Sequence, residues 1–386
     1  MPWGGLLALA LTGFICVLTE TIPAGLLPQI SQSMGITASM TGQWVTLYAL
    51  GSLLAAIPLT AATQHWNRKS LLLVCIIGFL LFNTTTAVSS VYAVTLVARF
   101  LAGVSAGVLW GMIAGYARRM VPDPLKGRAM AIAMSGTPLA LALGVPIGTW
   151  AGVLMSWRYV FGALSLVTCL LIIWVMFKQP DYPGQTRQLK EPLIRVLRIR
   201  GILPILSVTF IWVLAHNILY TYIAPYLENA STVTRIDMVM LVFGLSSVAG
   251  IVVIAALIDR WSRTLMLTSI LGFAVAALVL AFASQEAAVV YICVALWGLT
   301  FGGAATLLQT AMAEAANHHA DVAQSMLVTA WNLAIGAGGF AGGLLLTHAS
   351  ITAFPWTVVA LLLLGGIIAF SARTYGFPSQ AKGLHQ

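Results

Sequence analysis

Charge is scarce in this sequence of 386 residues, of which only 8% are Asp, Glu, Lys or Arg and 60% are hydrophobic. The mean hydropathy of +0.96 excludes an ordinary soluble globular protein. With one exception, the acidic residues fall in, or at the ends of, the connections between apolar runs. No remaining stretch is long enough to fold as a separate soluble domain.

Cysteine is also rare, and its four residues, Cys16, Cys75, Cys169 and Cys293, are scattered singly inside apolar runs. This spacing excludes a disulfide framework and a cysteine-based metal site. The pair His318-His319 has no further ligands nearby in the sequence. A phosphate-binding loop, a zinc motif and a nucleophile elbow are all missing. We therefore expect no cofactor, no metal and no enzymatic activity.

Apolar runs of about 20 residues, the length that crosses a bilayer, recur along the whole chain. They predict an all-α membrane protein with twelve membrane-spanning helices. The predicted spans lie at 3–27, 39–62, 70–88, 91–116, 127–152, 158–177, 201–226, 238–258, 264–283, 287–313, 322–346 and 352–373.

The distribution of the basic residues along the chain predicts which connections face the cytoplasm. The formal net charge is +9, but nearly all Lys and Arg lie in every second connection or in the C-terminal tail. The opposite connections hold only Arg158 and Arg235, and Arg99 lies within a span. Because basic connections stay in the cytoplasm, we predict that both termini are cytoplasmic and that no nucleic acid is bound. The first run lacks a basic n-region, so we expect it to remain a span.

A polar, basic connection at 178–200 separates two sets of six spans. We predict an N-terminal bundle at 1–177, a cytoplasmic linker at 178–200 and a C-terminal bundle at 201–386. Several arginine and glycine positions recur after a shift of 195 residues, which indicates an internal repeat. Because the sequence contains 35 glycines, chance coincidence is the alternative. Repeated six-span halves are a transporter architecture with a substrate site between them. The recurring positions are Arg68 with Arg263, Gly103 with Gly298, Gly107 with Gly302, Gly144 with Gly339 and Gly148 with Gly343.

Small residues predict which spans pack closely. The fourth span carries Gly103, Gly107, Gly111 and Gly115 at four-residue spacing, which leaves a groove where another backbone can approach. The third and twelfth spans are almost uniformly apolar, so we expect them to face lipid.

Glu20 is the exception among the acidic residues, because it lies inside the first apolar run. A carboxylate at membrane depth costs about 2.5–3.5 kcal/mol on insertion scales and is rarely retained without a function. Burial favours its protonated form, whereas a nearby cation favours the carboxylate. We hypothesise that Glu20 binds a coupling proton. The alternative is a structural carboxylate bonded to the backbone where Pro23 breaks the helix.

Arg99 is permanently charged and lies at a similar depth in the fourth span. It can pair with Glu20, bond carbonyls of a neighbouring helix or relay the coupling, and a structural role is the alternative.

An aromatic face in the seventh span is a candidate for substrate binding. Trp212, His216 and Tyr220 share this face at i±4, where the rings can stack a sugar or a base and the imidazole can form a hydrogen bond. A core histidine without a ligand is the alternative. The other candidate hydrogen-bond donors to a polar substrate are Tyr48, Gln309 and Asn332.

Arginine, glycine and proline recur in recognisable motifs. A buried Arg is followed by spaced glycines in Arg99-Phe-Leu-Ala-Gly103-Val-Ser-Ala-Gly107, and a Gly/Pro segment runs through Gly144-Val-Pro146-Ile-Gly148. Trp157-Arg158 opens the sixth span. Together these motifs resemble the major facilitator superfamily, and within it the drug/proton antiporters, over the whole chain. The residues that the resemblance assigns to conformational motifs are Arg68, Lys69, Gly103, Gly107, Gly144, Pro146, Gly148, Asp259 and Arg260.

More narrowly, the stretches at 19–28, 215–225 and 321–338 are similar to bacterial sugar (arabinose) efflux permeases and to related nucleoside and chloramphenicol exporters. One departure concerns the loop between spans 2 and 3, where the family carries an acidic residue before a basic pair. This sequence has Gln64 and Asn67 ahead of Arg68 and Lys69, whereas the second copy keeps Asp259. We therefore expect the first copy of the loop to lack its acidic contact.

The resemblance implies a function and a location. It implies a proton-coupled antiporter that exports small neutral or weakly charged solutes such as sugars, nucleosides or drugs by alternating access. It further implies a monomer in the bacterial inner membrane, with the first, fourth and seventh spans lining the central cavity. The alternatives are an uptake symporter or facilitator on the same fold and, less in keeping with the motifs, a non-transporting membrane sensor or intramembrane enzyme.

Overall fold

A computed structural model describes residues 1–56, 58–63, 65–184, 193–230, 232–316 and 319–378. Within these ranges the chain is almost wholly helical and contains no strand. It divides into two compact units, Met1–Leu189 and Lys190–Gln386. Gln64, His318, Lys382 and much of the predicted linker, including Arg187 and Lys190, lie outside the described residues.

Among its described residues, the first unit contains ten α-helices. They are α1 (Trp3–Gly25), α2 (Leu27–Met34), α3 (Ala38–Ala56), α4 (Pro58–Ala62), α5 (Arg68–Val88), α6 (Tyr92–Arg119), α7 (Lys126–Met134), α8 (Gly136–Leu139), α9 (Val145–Leu154) and α10 (Trp157–Lys178). A short 3₁₀ turn, Asp123–Leu125, precedes α7.

The second unit contains eight helices among its described residues. They are α11 (Leu193–Leu197), α12 (Ile202–Thr221), α13 (Ile223–Ala230), α14 (Ile236–Ala283), α15 (Ala287–Gly302), α16 (Ala304–Ala316), α17 (Ala320–His348) and α18 (Ala353–Ser371).

The observed helices agree with twelve spans, although not one to one. Ten helical stretches of the described chain are long and apolar enough to cross a membrane. One of them, α14, covers two predicted spans, because non-helical backbone at Trp261 divides it into two arms. The predicted span 39–62 is not among the ten and corresponds to α3 and α4.

The fifth span contains a widened turn. Residues Ala140–Gly144 form a π-helical turn between α8 and α9. Pro146 follows directly, and its ring removes a backbone N–H and displaces the carbonyl four residues earlier. Single π turns inside α-helices are frequent at functional sites. The antiporter-like segment from Gly144 to Gly148 therefore begins at an irregularity of the helix.

Glycine brings α3 and α6 into backbone contact. A Cβ added at Gly103 would lie 1.9 Å from the carbonyl oxygen of Tyr48, and one at Gly107 would lie 2.3 Å from that of Ser52. Such distances are far below van der Waals contact, so only glycine fits at these positions. The predicted groove of the fourth span is therefore present and is filled by α3.

The second unit repeats these contacts at the same sequence shift. An added Cβ at Gly298 would lie 2.5 Å from the carbonyl oxygen of Phe243, and one at Gly302 would lie 2.1 Å from that of Ser247. Each of these four residues lies 195 positions after its counterpart in the first unit. The internal repeat is therefore supported by equivalent backbone contacts as well as by equivalent residues in the sequence.

The segments that follow the last span of each unit also match. The backbone N–H of Arg68 donates to the carbonyl of Tyr182 over 2.9 Å, and Nη1 of Arg263 donates to the carbonyl of Phe377 over 2.7 Å. Both members of the second pair lie 195 residues after those of the first. In each unit, the chain returns after its last span to the connection between its second and third spans.

Gly103→Ala should destabilise the protein, because two backbones would have to separate to admit the added methyl group. Overpacking of this kind costs about 1–3 kcal/mol of unfolding free energy, which we expect to see as a lower Tm of the purified protein in detergent. Gly115→Ala is the matched control on the same helix, since nothing lies within 4 Å of a Cβ added there. An equal Tm for the two variants would contradict the contact.

Candidate functional site

A buried arginine joins three helices of the first unit. Arg99, on α6, is 0% exposed. Its Nη1 donates to the carbonyl of Thr19 on α1 over 2.8 Å, and its Nη2 donates to Oδ1 of Asn83 on α5 over 2.8 Å. Asn83 closes the network by donating from Nδ2 to Oγ1 of Thr19 over 2.9 Å. We call Thr19, Asn83 and Arg99 the polar network.

Pro23 explains why the carbonyl of Thr19 is available to this network. Proline has no backbone N–H, so the carbonyl four residues earlier in a helix loses its usual partner. Because Pro23 lies within α1, that carbonyl belongs to Thr19, and the guanidinium of Arg99 takes the place of the missing N–H. The carbonyl that Pro23 frees and the buried cation therefore satisfy each other.

Glu20 follows Thr19 directly but stays outside the polar network. Its side chain is partly exposed, and Oε1 is buried without a hydrogen-bond partner. Among the described residues, Glu20 and Arg99 form no ion pair. The structure therefore realises the carbonyl-bonding interaction of Arg99, and it shows no backbone hydrogen bond that would make Glu20 a structural carboxylate.

The fifth span packs closely on α1. Gly144 and Gly148 lie against Phe14 and Ile22 of α1, where added Cβ atoms would come within 2.9 and 2.6 Å of side-chain carbons. The helix that contains the π turn and Pro146 therefore packs on the helix that carries Glu20.

The hydroxyl of Tyr48 is already hydrogen-bonded within the first unit. It is 1% exposed, and its hydroxyl donates to the carbonyl of Cys16 over 3.0 Å and lies 3.4 Å from the Sγ of the same residue. Its ring lies 5.9 Å from the guanidinium of Arg99. Tyr48 thus connects α3 to α1 beside the polar network.

The second unit brings the three predicted aromatic residues of α12 into one cluster of rings, in which Trp212 and His216 contact Phe301. The ring of His216 stacks on Phe301 with centroids 3.7 Å apart and planes 6° apart, and Trp212 meets the same ring edge-on at 6.1 Å. Tyr220 lies 5.2 Å from His216. We call Trp212, His216, Tyr220, Phe243, Phe273, Trp297, Phe301 and Trp331 the aromatic cluster.

One hydrogen bond fixes the tautomer of His216. Nε1 of Trp297 donates to its Nδ1 over 3.1 Å. Since indole N–H can only donate, Nδ1 must be the unprotonated acceptor and Nε2 carries the hydrogen. The cluster also contains a polar atom without a partner, because Nε1 of Trp212 is buried and forms no hydrogen bond.

Asn332 and Gln309 do not join the aromatic cluster through hydrogen bonds. Nδ2 of Asn332 donates to Val328 within its own helix over 2.9 Å. The side chain of Gln309 is exposed, and its backbone carbonyl accepts from Gln324 over 2.8 Å. Only Asn332 is buried, and it adjoins Trp331 of the cluster in the sequence.

The loop before α5 does have an acidic partner, which corrects the expectation from the sequence. Nδ2 of Asn67 and the backbone N–H of Lys69 donate to the two carboxylate oxygens of Asp181 over 3.1 and 3.2 Å. The ammonium of Lys69 also donates to the carbonyl of Met176 over 2.8 Å. In the second unit, the side chains of Asp259 and Arg260 are exposed.

Sequence reasoning missed Asn83 and Asp181. Asn83 lies in the third span, which its apolar composition assigned to lipid, yet an amide inside an apolar run is the same kind of signal that singled out Glu20. Asp181 lies 112 residues from Lys69 in the sequence. No local pattern connects residues so far apart.

Comparison with known proteins gives a family and a fold. A family model described as Major Facilitator Superfamily matches residues 9–231 and 224–385. The chain is 28% identical to a probable sugar efflux transporter of Pasteurella multocida, over 94% of this chain and 90% of the relative. It is 26% identical to the purine ribonucleoside efflux pump NepI of Shigella sonnei, over 94% and 93%. Its fold resembles the human organic anion transporter MFSD10, with a TM-score of 0.68 and 15% identity over 95% and 97% of the two chains.

Asn83→Leu should destabilise the first unit, because it removes an acceptor from a buried guanidinium and a donor to Thr19 at similar volume. Hydrogen bonds to charged groups contribute about 1.5–3 kcal/mol, so we expect a clear fall in Tm. Thr85→Val is the control on the same helix, since its hydroxyl bonds only the carbonyl of Leu81. A Tm of Asn83→Leu as high as that of the control would mean that Arg99 does not need this acceptor.

Proposed function

The chain belongs to the major facilitator superfamily, and we propose that it is a proton-coupled exporter of small neutral or weakly charged solutes. Export is supported by the relatives, which are named as efflux proteins for sugars and purine ribonucleosides. A multi-pass membrane protein of this family binds small-molecule substrates within the bilayer. We further propose that it acts as a monomer in the bacterial inner membrane, with both termini in the cytoplasm.

The observation that carries proton coupling is the unpartnered carboxylate of Glu20. Burying a carboxylate oxygen without a partner costs the ionised form more solvation free energy than it costs the neutral, protonated form. When the bundle opens and water reaches α1, the ionised form is restored. Proton binding at Glu20 then alternates with conformation, and a solute whose release accompanies protonation is exchanged for a proton. We propose that Arg99 holds α1 in the position that this exchange needs.

We propose that the substrate contacts the aromatic cluster. A neutral imidazole with its hydrogen on Nε2 offers one donor, and the rings offer flat faces for a sugar or a base. The composition of this surface favours neutral solutes, since it holds no fixed charge among the described residues of the cluster. Of the other predicted binding residues, Asn332 is the better placed, because it is buried beside Trp331, whereas Gln309 is exposed.

Glu20→Gln should abolish proton movement while leaving the protein folded, because glutamine keeps the shape and cannot ionise. In energised inside-out vesicles, adding a sugar, a purine nucleoside or chloramphenicol should make the wild type release protons from the lumen. Glu286→Gln is the control, since it removes an exposed carboxylate by the same substitution. Continued uphill transport by Glu20→Gln would contradict the role of Glu20.

The same vesicles separate the alternative functions. A symporter would carry protons into the lumen together with the added solute, and a facilitator would equilibrate the solute without moving protons. The solutes to test are those of these classes that bind the purified protein. If none of them makes protons leave the lumen, antiport is contradicted.

His216→Phe should weaken substrate binding while preserving the ring stack. Losing one hydrogen bond of about 1.4 kcal/mol corresponds to about a tenfold rise in KM for export, with a smaller change in maximal rate. His348→Phe is the control, because it applies the same substitution to an exposed histidine at the end of α17. An unchanged KM in a folded His216→Phe protein would mean that His216 is a core histidine without a ligand.

A further inference from the structure

A cavity of about 400 Å³ lies at the end of α6, and none of its lining residues belongs to the polar network. Its floor includes Gly115, where an added Cβ would meet nothing within 4 Å, so the space at this point of the helix is open. The residues that line it are Gly115, Arg118, Arg119, Val121, Asp123 and Lys126.

The lining carries an excess of positive charge. Three of its side chains are cationic and one is anionic, and the anion, Asp123, forms an ion pair with Lys126. Nη1 of Arg119 donates to the carbonyl of Pro183 over 2.7 Å, which holds this guanidinium in place. Arg118 is exposed and is free to meet a ligand. The site therefore offers an anion two guanidinium groups: that of Arg119, which is held by Pro183, and that of Arg118, which is exposed.

The cavity lies where two membrane spans end. The span formed by α6 finishes at Arg119, and the next candidate span starts at Asp123. Val121 gives the lining an apolar residue between these ends. A ligand at this place can therefore keep an acyl chain in the bilayer while its charged group lies among the arginines.

The internal repeat shows that the fold does not require these cations. The positions 195 residues after Arg118, Arg119 and Lys126 hold Ala313, Glu314 and Asp321. The equivalent connection of the second half is thus acidic, although it lies on the same predicted side of the membrane. A requirement of helix packing would apply to both halves.

We propose that this cavity binds the phosphate group of an anionic phospholipid, with Arg118 and Arg119 as its main contacts. Guanidinium groups match phosphate oxygens in geometry and charge, and basic pockets at the cytoplasmic ends of spans are suited to lipid headgroups. Free phosphate shares this chemistry, but the position between two span ends favours a lipid.

The test measures lipid binding to the purified full-length protein, by native mass spectrometry and by Tm in a neutral detergent. Phosphatidylglycerol is compared with phosphatidylcholine, and inorganic phosphate and glycerol 3-phosphate serve as soluble anions. Arg118→Gln should weaken phosphatidylglycerol binding about fivefold, the effect of one basic residue near an anionic headgroup. Arg128→Gln is the control, because Arg128 is an exposed cation of the same connection outside the lining.

Selective loss in Arg118→Gln supports the site. Equal weakening in the two variants, or equal binding of phosphatidylcholine by the wild type, would overturn it in favour of diffuse surface charge. Stabilisation by inorganic phosphate as large as that by the lipid would support the phosphate site and assign it a soluble source.

A second pair of variants applies if Arg118→Gln does not fold. Lys126→Gln, which leaves Asp123 unpaired, should lose the lipid, whereas Arg118→Lys should retain most of it. Retention of the lipid by Lys126→Gln would count against the site.

Discussion

The guanidinium of Arg99 is buried without a carboxylate, so it depends on neutral acceptors from two other helices. Removing such acceptors from a buried charge is far more costly than removing an exposed ion pair. The helices α1, α5 and α6 are therefore fixed relative to one another at the level of Thr19. Because Pro23 frees the very carbonyl that Arg99 binds, the irregular end of α1 and the place of Glu20 both follow from this one interaction.

The internal repeat extends to the helix contacts of the two units but not to their buried polar residues. Both units keep the glycine contacts that bring two helices into backbone contact. The second unit keeps neither the polar network nor Glu20: Thr19, Glu20, Asn83 and Arg99 correspond to Leu214, Ala215, Leu278 and Val294. A bundle of the same architecture thus forms with apolar residues at all four positions. The buried arginine and the neighbouring carboxylate are therefore not carried over by the internal repeat.

The sequence predicted those features that depend on local pattern. Apolar runs located the spans, and four-residue glycine spacing predicted the groove that α3 fills. Features that depend on distant partners could not be read in the same way. Asn83 is an isolated amide until α6 supplies Arg99, and the loop around Lys69 has no acid until the chain returns at Asp181. The aromatic cluster likewise needs Phe243, Trp297 and Phe301 from other helices to surround the three residues that share a face of α12.

The two units also differ in how they could carry a proton. His216 accepts the indole N–H of Trp297 at Nδ1, and protonating that nitrogen would set two donors against each other in a buried site. The imidazole can therefore act as a neutral donor to a solute, but it cannot take up a proton without disrupting the cluster. Glu20 has no such obstacle, because its buried oxygen has no partner to lose. The described spans thus differ in their chemistry: the second unit holds a neutral aromatic cluster, and the first holds a carboxylate with an unpartnered buried oxygen.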